Sequence, residues 1–504
     1  MAKRDVLAVI DFGHRVAEEE SDALLGYFVE TDHWRRLYAG SVDVIYGPKG
    51  SGKSALYSLL LARSSDLFDR GVILAPAENP RGTPAFRDLV VDPPATEQEF
   101  VGLWKLYFAA VLYSVTEEFD MRSEEAKELG DQLTQAGLVR GKRSLQAVLR
   151  WALQYVRGIM RRPKAVEGGI EIDPITQAPS GIKGKITFEE PDSRSIGEGL
   201  TSVDHLLELA NAALHKASGM VAWILLDRLD VAFADNVDLE QNALRALFRV
   251  YLDLKGLANI RLKIFLRNDI WGRLTSSGFR EASHITKDMT IDWNRNSLLN
   301  LVVRRAAYNK ALMDFYGVTA AEVLRSTESQ EAFFATLFPK QVEVGPNKSR
   351  TFDWMLGRTR DASGKNAPRE LIHLLNVLRD VQVRKLEIGE SEPEGDNLFS
   401  RGSFKDALPE VSRVRLEQTL YAEYPSLRVH LEKLRGAKTK HNPESLAALW
   451  SVPLVEAVAL AQQLVSVGFF EPRGTRERPE YWIPFIYRDA LDLVQGTAET
   501  DSTE

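Results

Sequence analysis

The sequence contains no cysteine, which excludes disulfide staples, thiol nucleophiles and Cys-ligated zinc or iron–sulfur centres. Its eight histidines are scattered and never form a His-x-x-x-His pair, which argues against a zinc hydrolase. Neither sign of charge is in large excess. The 64 Lys and Arg against 71 Asp and Glu leave −7, so any nucleic-acid contact must come from a local patch. Apolar runs are short as well. Gly102 to Val115 is 14 residues with Lys105 inside it, against the roughly 20 that cross a bilayer, and it reads as a buried helix. The opening MAKRDVLAVIDFGHR meets Asp11 before it makes a secretory leader, so a cytoplasmic location is expected. What remains is an ordinary globular composition, 44 % apolar and 27 % charged over 504 residues, enough for about three domains.

One motif dominates. SVDVIYGPKGSGKSALYSLL contains G-x-x-x-x-G-K-S at Gly47–Ser54, between a short alternating strand and a run of helix formers. Gly47, Gly50 and Gly52 let backbone N–H groups curl around phosphate oxygens. The following helix aims its positive end at the anion. Pro48, Lys49, Ser51 and Ala55 complete the loop. Lys53 is expected to reach the β- and γ-phosphates, and Ser54 to ligate magnesium (Mg2+). A second segment, MVAWILLD, is a nearly continuous apolar run ending at Asp227, as a strand buried on both faces of a parallel sheet would read. Asp227 there can hold the Mg2+ shell, and Asp230, in DRLD, can orient or deprotonate a water. The alternative is a helix start with two capping acids. A third, RLKIFLRNDIW, reads as a strand ending at Arg267 and Asn268. A polar residue at such a strand end senses the γ-phosphate in additional-strand P-loop ATPases; the alternative is a polar turn. There is no LSGGQ-like signature, and Asn347-Lys348-Ser349-Arg350 lacks the acid that reads guanine, so ATP is favoured over GTP.

Alternating strand and helix signals predict an α/β P-loop NTPase core with a mostly parallel sheet over residues 1–300. The gap of about 170 residues between the two Walker motifs implies a helical and β-hairpin insertion at about 100–200, the hairpin at Gly168–Pro191. A helical lid is expected over 301–400, ending in the acidic linker Glu387–Asn397. A winged-helix-like domain follows at 401–495, with helices at 445–459 and 461–467 and a two-strand wing, then a disordered tail at 496–504. Helical stretches of opposite charge lie in the insertion. Thr116–Asp131 is acidic, whereas Arg140–Lys164 carries eight basic residues and no acid. Arg143, Arg150, Arg157 and Lys164 recur at sevens with Trp151 and Tyr155 interleaved, a stripe that either binds nucleic acid or pairs with the acidic helix. The wing region offers Lys433, Arg435, Lys438, Lys440, Arg473, Arg476 and Arg478.

GPKGSGKS, WILLDRLD, KIFLRNDIW, APRELI and YWIPFIYR together resemble a bacterial P-loop ATPase family related to the AAA+ and STAND classes, over nearly the whole chain. DRLD is similar to the extended Walker B of STAND and KAP ATPases, which implies a catalytic role for Asp230. No Glu directly follows Asp227, a departure from AAA+ proteins that implies weak or partner-stimulated hydrolysis. The same resemblance makes Arg369 a sensor-2-like arginine, the alternative being a helix-start salt bridge with Glu370 or another acid. Arg273 and Arg280 are the candidates for an arginine finger. An ATP-driven molecular switch in bacterial, including antiviral, defence or signalling is thereby implied. Its partners would be ATP, further copies of the chain and an effector or sensor protein; nucleic acid is a further candidate, and a membrane is not. The other readings are a nucleic-acid-remodelling AAA+ ATPase of initiator or loader type and a non-hydrolysing nucleotide-gated scaffold.

Overall fold

The computed structural model describes residues 2–15, 20–77, 96–138, 145–160, 185–188, 200–229 and 237–498. The chain divides into two units. One comprises residues 33–46 and 56–290, and the other residues 1–32, 47–55 and 291–504.

The first unit contains β1 (Val44–Gly47), β2 (Val72–Pro76), β3 (Lys185–Thr187), β4 (Leu200–Ser202), β5 (Val221–Leu226), β6 (Ile260–Arg267) and β7 (Asp288–Thr290). Five of these form a central parallel sheet in the order β2-β5-β6-β1-β7. The apolar strands β5 and β6 are buried along nearly their whole length, as strands covered by helices on both faces must be. The helix Glu97–Glu118 buries Trp104, Tyr107 and Phe108, and the Thr96 side chain caps its first turn through the Glu99 N–H. Lys105, the one cation in that apolar run, is paired at 2.8 Å with both Asp204 and Asp253. Among the described residues no single helix is long and apolar enough to cross a membrane. Of the expected β-hairpin only residues 185–188 are described, and β3 pairs in parallel with β4.

The amino end of β1 is fastened by charge. Lys263 of β6 is fully buried and donates to Asp43 at 2.8 Å; Tyr251 donates to the same carboxylate at 3.3 Å. The ammonium also lies over the Trp223 ring, 4.3 Å from its centre. Burial, with help from Arg261 and Lys287, outweighs the attraction of Asp43 and lowers the Lys263 pKa to about 8.

In the second unit, helices Arg295–Ala307, Thr327–Leu337, Thr351–Thr359, Pro368–Glu387 and Arg401–Arg415 share one core. Val6, Leu7, Ile10 and Phe12 belong to that core, so the chain's beginning folds with the helices and not with the sheet. Arg305 secures it, donating to both oxygens of buried Glu20 and to the Phe12 carbonyl. Leu398, Phe399, Phe404 and Val411 belong to this core as well, whereas residues from Leu416 onward join a separate one. The acidic linker at 387–397 is therefore a turn within the helical region. The break between cores comes at the π-helical segment Leu416–Tyr421.

Beyond it, β8 (Lys438–His441), β9 (Glu471–Gly474), β10 (Pro479–Trp482) and β11 (Val494–Thr497) form a sheet in the order β11-β8-β10-β9. Helices Pro443–Trp450 and Leu454–Ser466 lie between β8 and β9, the succession of a winged helix with a β9–β10 wing. The break between these helices is at 451–453 and not at 460, because Ser451 is left-handed (φ 57°) and Pro453 precedes the new start. Nor does the tail begin at 496: Gly496 and Thr497 lie in β11, beside β8. Residues 499–504 lie outside the described residues.

Candidate phosphate-binding site

At the carboxyl end of β1 the chain turns through Pro48–Gly52 into the helix Lys53–Ala62. The turn demands glycine. Gly50 (φ +76°) and Gly52 (φ +98°) are left-handed, a conformation that costs other residues about 1–2 kcal/mol. Gly47 is needed for space, since a Cβ there would stand 2.4 Å from Ser51 Oγ. The loop's amides and the helix's positive end make an anion cradle. Lys53 Nζ donates to the carbonyls of Gly47 (2.8 Å) and Pro48 (3.0 Å), so its charge lies across the loop. Ser54 follows on the first helical turn. The Trp293 indole holds the far side, donating to the Ser51 carbonyl at 2.8 Å.

The start of the helix Pro368–Glu387 packs on the loop. A Cβ on Gly50 would meet Arg369 Cβ at 2.9 Å and Glu370 Oε2 at 3.3 Å. Arg369 is thus beside the loop. Glu370 does not serve it as a salt-bridge partner but accepts from Arg415 at 2.6 Å. Ser51 Oγ, Arg369 Nε, Glu370 Oε2 and Asn366 Oδ1 are buried with no hydrogen-bond partner among the described residues. Buried polar atoms rarely go unpaired, and each costs about 1–3 kcal/mol. Ser51 and Arg369 are donors that suit a phosphate; the Glu370 and Asn366 oxygens suit water or a sugar hydroxyl. The residues around 47–55 therefore fit a nucleotide.

Asp227 directly follows β5 and is buried, with Arg228 turning the chain at φ 58°. Asp230 lies outside the described residues. At the end of β6, Arg267 is committed to Asp269 by two bonds of 3.0 Å. Burial would raise the Asp269 pKa, but the charges of Arg267 and Arg273 more than reverse this and hold it below the ordinary range. Asn268 begins the next helix with a buried, unpartnered Oδ1 among the described residues. Of the two finger candidates, Arg273 is engaged by Glu240 (2.7 Å) and Asp269 (3.3 Å), whereas Arg280 is exposed.

Sequence reasoning missed Trp293, Arg415 and Glu423. Trp293 and Glu423 reach the loop from hundreds of residues away, Arg415 reaches its neighbour Glu370 from 45 residues away, and no local pattern marks them. Arg415 is buried and bonds Glu370, Asp361 (2.9 Å) and the Tyr487 hydroxyl (3.4 Å). Glu423 pairs with Lys49 of the loop itself.

Of the four arginines and lysines of the basic stripe, Arg150, which is exposed, and Arg157 lie among the described residues. Arg143 and Lys164 lie outside the described residues. Tyr155 accepts from the Ile186 N–H at 2.6 Å, and Trp151 packs on the apolar core. The acidic helix Glu124–Gln135 has a partner elsewhere, Glu125 pairing with Lys216 at 2.5 Å. The helix Leu454–Ser466 contains no Lys or Arg. Lys440 is paired with Glu480, Arg473 with Glu471, and Arg435 with Glu432 and Asp492.

No protein-family model matches the chain, and no curated protein does. Among solved structures, it is similar to the Aeropyrum pernix ORC2 protein in ADPNP–ADP complexes. That match has 14 % identity over 97 % of each chain and a TM-score of 0.38, too low to carry an argument about function.

Proposed function

We propose that the protein binds ATP at residues 47–55 and hydrolyses it slowly, as a switch of the AAA+/STAND kind. The observation that carries this is the loop itself. Two left-handed glycines, a lysine laid over the loop and a helix start are joined by buried donors on Ser51 and Arg369 without partners among the described residues. The strand order supports the additional-strand reading, because β6 stands between β1 and β5, the strand that Asp227 directly follows. Ser54 and Asp227 are the residues that would hold Mg2+, which neutralises charge on the phosphate oxygens when bound. Lys53 binds and orients the terminal phosphates. Arg369, at the start of the lid helix, distinguishes ATP from ADP by reaching the extra charge. Asp230 accepts the proton of the attacking water. Water then adds to the γ-phosphorus as its bond to the ADP oxygen breaks.

The role in defence or signalling rests on the sequence resemblance alone. The absence of basic residues from the helix Leu454–Ser466 favours a protein-facing switch over a nucleic-acid remodeller. The test is steady-state ATP turnover with and without DNA. Asp230→Asn should keep ATP bound and slow turnover by about 10²–10⁴-fold. Normal turnover in that variant would remove Asp230 from the mechanism. Stimulation of the wild type by DNA would favour the remodeller.

A further inference from the structure

The helix Arg401–Arg415 continues without a break through the π-helical Leu416–Tyr421 to Glu423, so one rod joins the helical core to the winged helix. π-segments inside helices are rare and cluster at functional positions, because the widened turn is a place where a helix can re-register. Two charges on this rod, one on each side of the π-segment, reach the phosphate loop or its neighbour. Arg415 is the fixed end. It is buried and clamped by Glu370, Asp361 and Tyr487. Glu423 is the exchangeable end, paired with Lys49 where side chains keep 19 % and 28 % exposure. The Glu423 oxygen that faces Lys49 is itself covered, and a competing anion reaches the pair from the more exposed lysine side.

Lys49 lies within the loop that a polyphosphate would occupy, between Pro48 and the left-handed Gly50. A carboxylate held there neutralises a cation the phosphates would use and adds a negative charge beside them. The two anions are alternatives for one lysine. Resting on the reading of 47–55 as a nucleotide site, we propose that Glu423 is a built-in competitor of the nucleotide's phosphates. It holds Lys49 while the loop is free of nucleotide and is displaced when ATP binds. The end of the rod, no longer held by Lys49, can then shift about the Arg415 clamp, which carries nucleotide occupancy to the winged helix. The apparent affinity for ATP is lowered by the fraction of molecules in which the pair is closed.

The test is a double-mutant cycle on the full chain: wild type, Glu423→Gln, Lys49→Gln and the double variant. Each is titrated calorimetrically with Mg2+-ATP and followed by amide hydrogen exchange over residues 416–498. Glu423→Gln should bind ATP about two- to fivefold more tightly, the range of a partly exposed ion pair. It should make no difference in the Lys49→Gln background. Without nucleotide, its exchange over 416–424 should match that of ATP-bound wild type. Equal or weaker ATP binding by Glu423→Gln, or tightening that persists without Lys49, would overturn the proposal. If the wild type binds no ATP, the nucleotide reading falls instead. The nucleotide-free exchange comparison still decides whether Glu423 restrains the rod, and unchanged exchange rejects it.

Discussion

Strand β1 is bounded by two lysine sites of opposite character. At its amino end, Lys263 is fully buried, bonded to an acid inside the sheet and stacked on Trp223. At its carboxyl end, Lys53 donates to carbonyls of its own loop, in a region where Ser51 and Arg369 keep buried polar atoms unpartnered among the described residues. The first lysine is a permanent fastening, because separating it from Asp43 would strand a charge in a low dielectric. The second has neutral acceptors that a phosphate can outcompete, since bonds to an ionised acceptor are about twice as strong. A lysine whose partner is fixed builds the sheet; one whose partners are exchangeable serves a ligand.

Breaking the fixed end should have the largest effect. Lys263→Met leaves Asp43 buried without its cation and should cost about 3–5 kcal/mol in urea denaturation at pH 7. A loss under about 1 kcal/mol would show that the pair does not fasten β1. The pH profile sharpens the point. Burial holds Lys263 near 8 against its ordinary 10.5, so between those values the native chain binds fewer protons than the unfolded one. This group's contribution to stability therefore rises with pH across that window and is flat below it. The rise should vanish in Lys263→Met.

Breaking the exchangeable end should cost less stability and more function. Gly50→Ala places a Cβ 2.9 Å from Arg369 Cβ in a left-handed backbone, which should cost about 1–2 kcal/mol and weaken ATP binding. Full stability together with unchanged ATP affinity would mean that the loop tolerates a different path.

The two ends also differ in how they are written. The phosphate loop is legible because its chemistry is local: eight consecutive residues state the glycines, the lysine and the serine. The sheet is legible for a related reason, since VAWILL and IRLKIFLR are apolar runs with abrupt polar ends. The Lys263–Asp43 pair left a fainter signal. Asp43, directly before β1, is the one acid in VDVIY, and Lys263 is the one base between Leu262 and Leu266 of β6; each interrupts an apolar run, and such a buried charge calls for a partner of opposite sign nearby. The association of Val6–Phe12 with helices from residue 295 onward left none, because a short apolar stretch does not name its partner across that distance. The same holds for Glu423 and Lys49. The boundary at 416 was hidden for another reason. The acidic stretch 387–397 has a linker's composition, yet the apolar Leu398 and Phe399 directly after it are buried in the helical core.

The central claim is that residues 47–55 hold ATP through Lys53, and it is tested most directly by calorimetric titration of the full chain with Mg2+-ATP beside Lys53→Ala. The account predicts one ATP per chain in the wild type, near-complete loss of binding in the variant, and an unchanged urea midpoint. Equal binding by the two proteins, or none by the wild type, would contradict it.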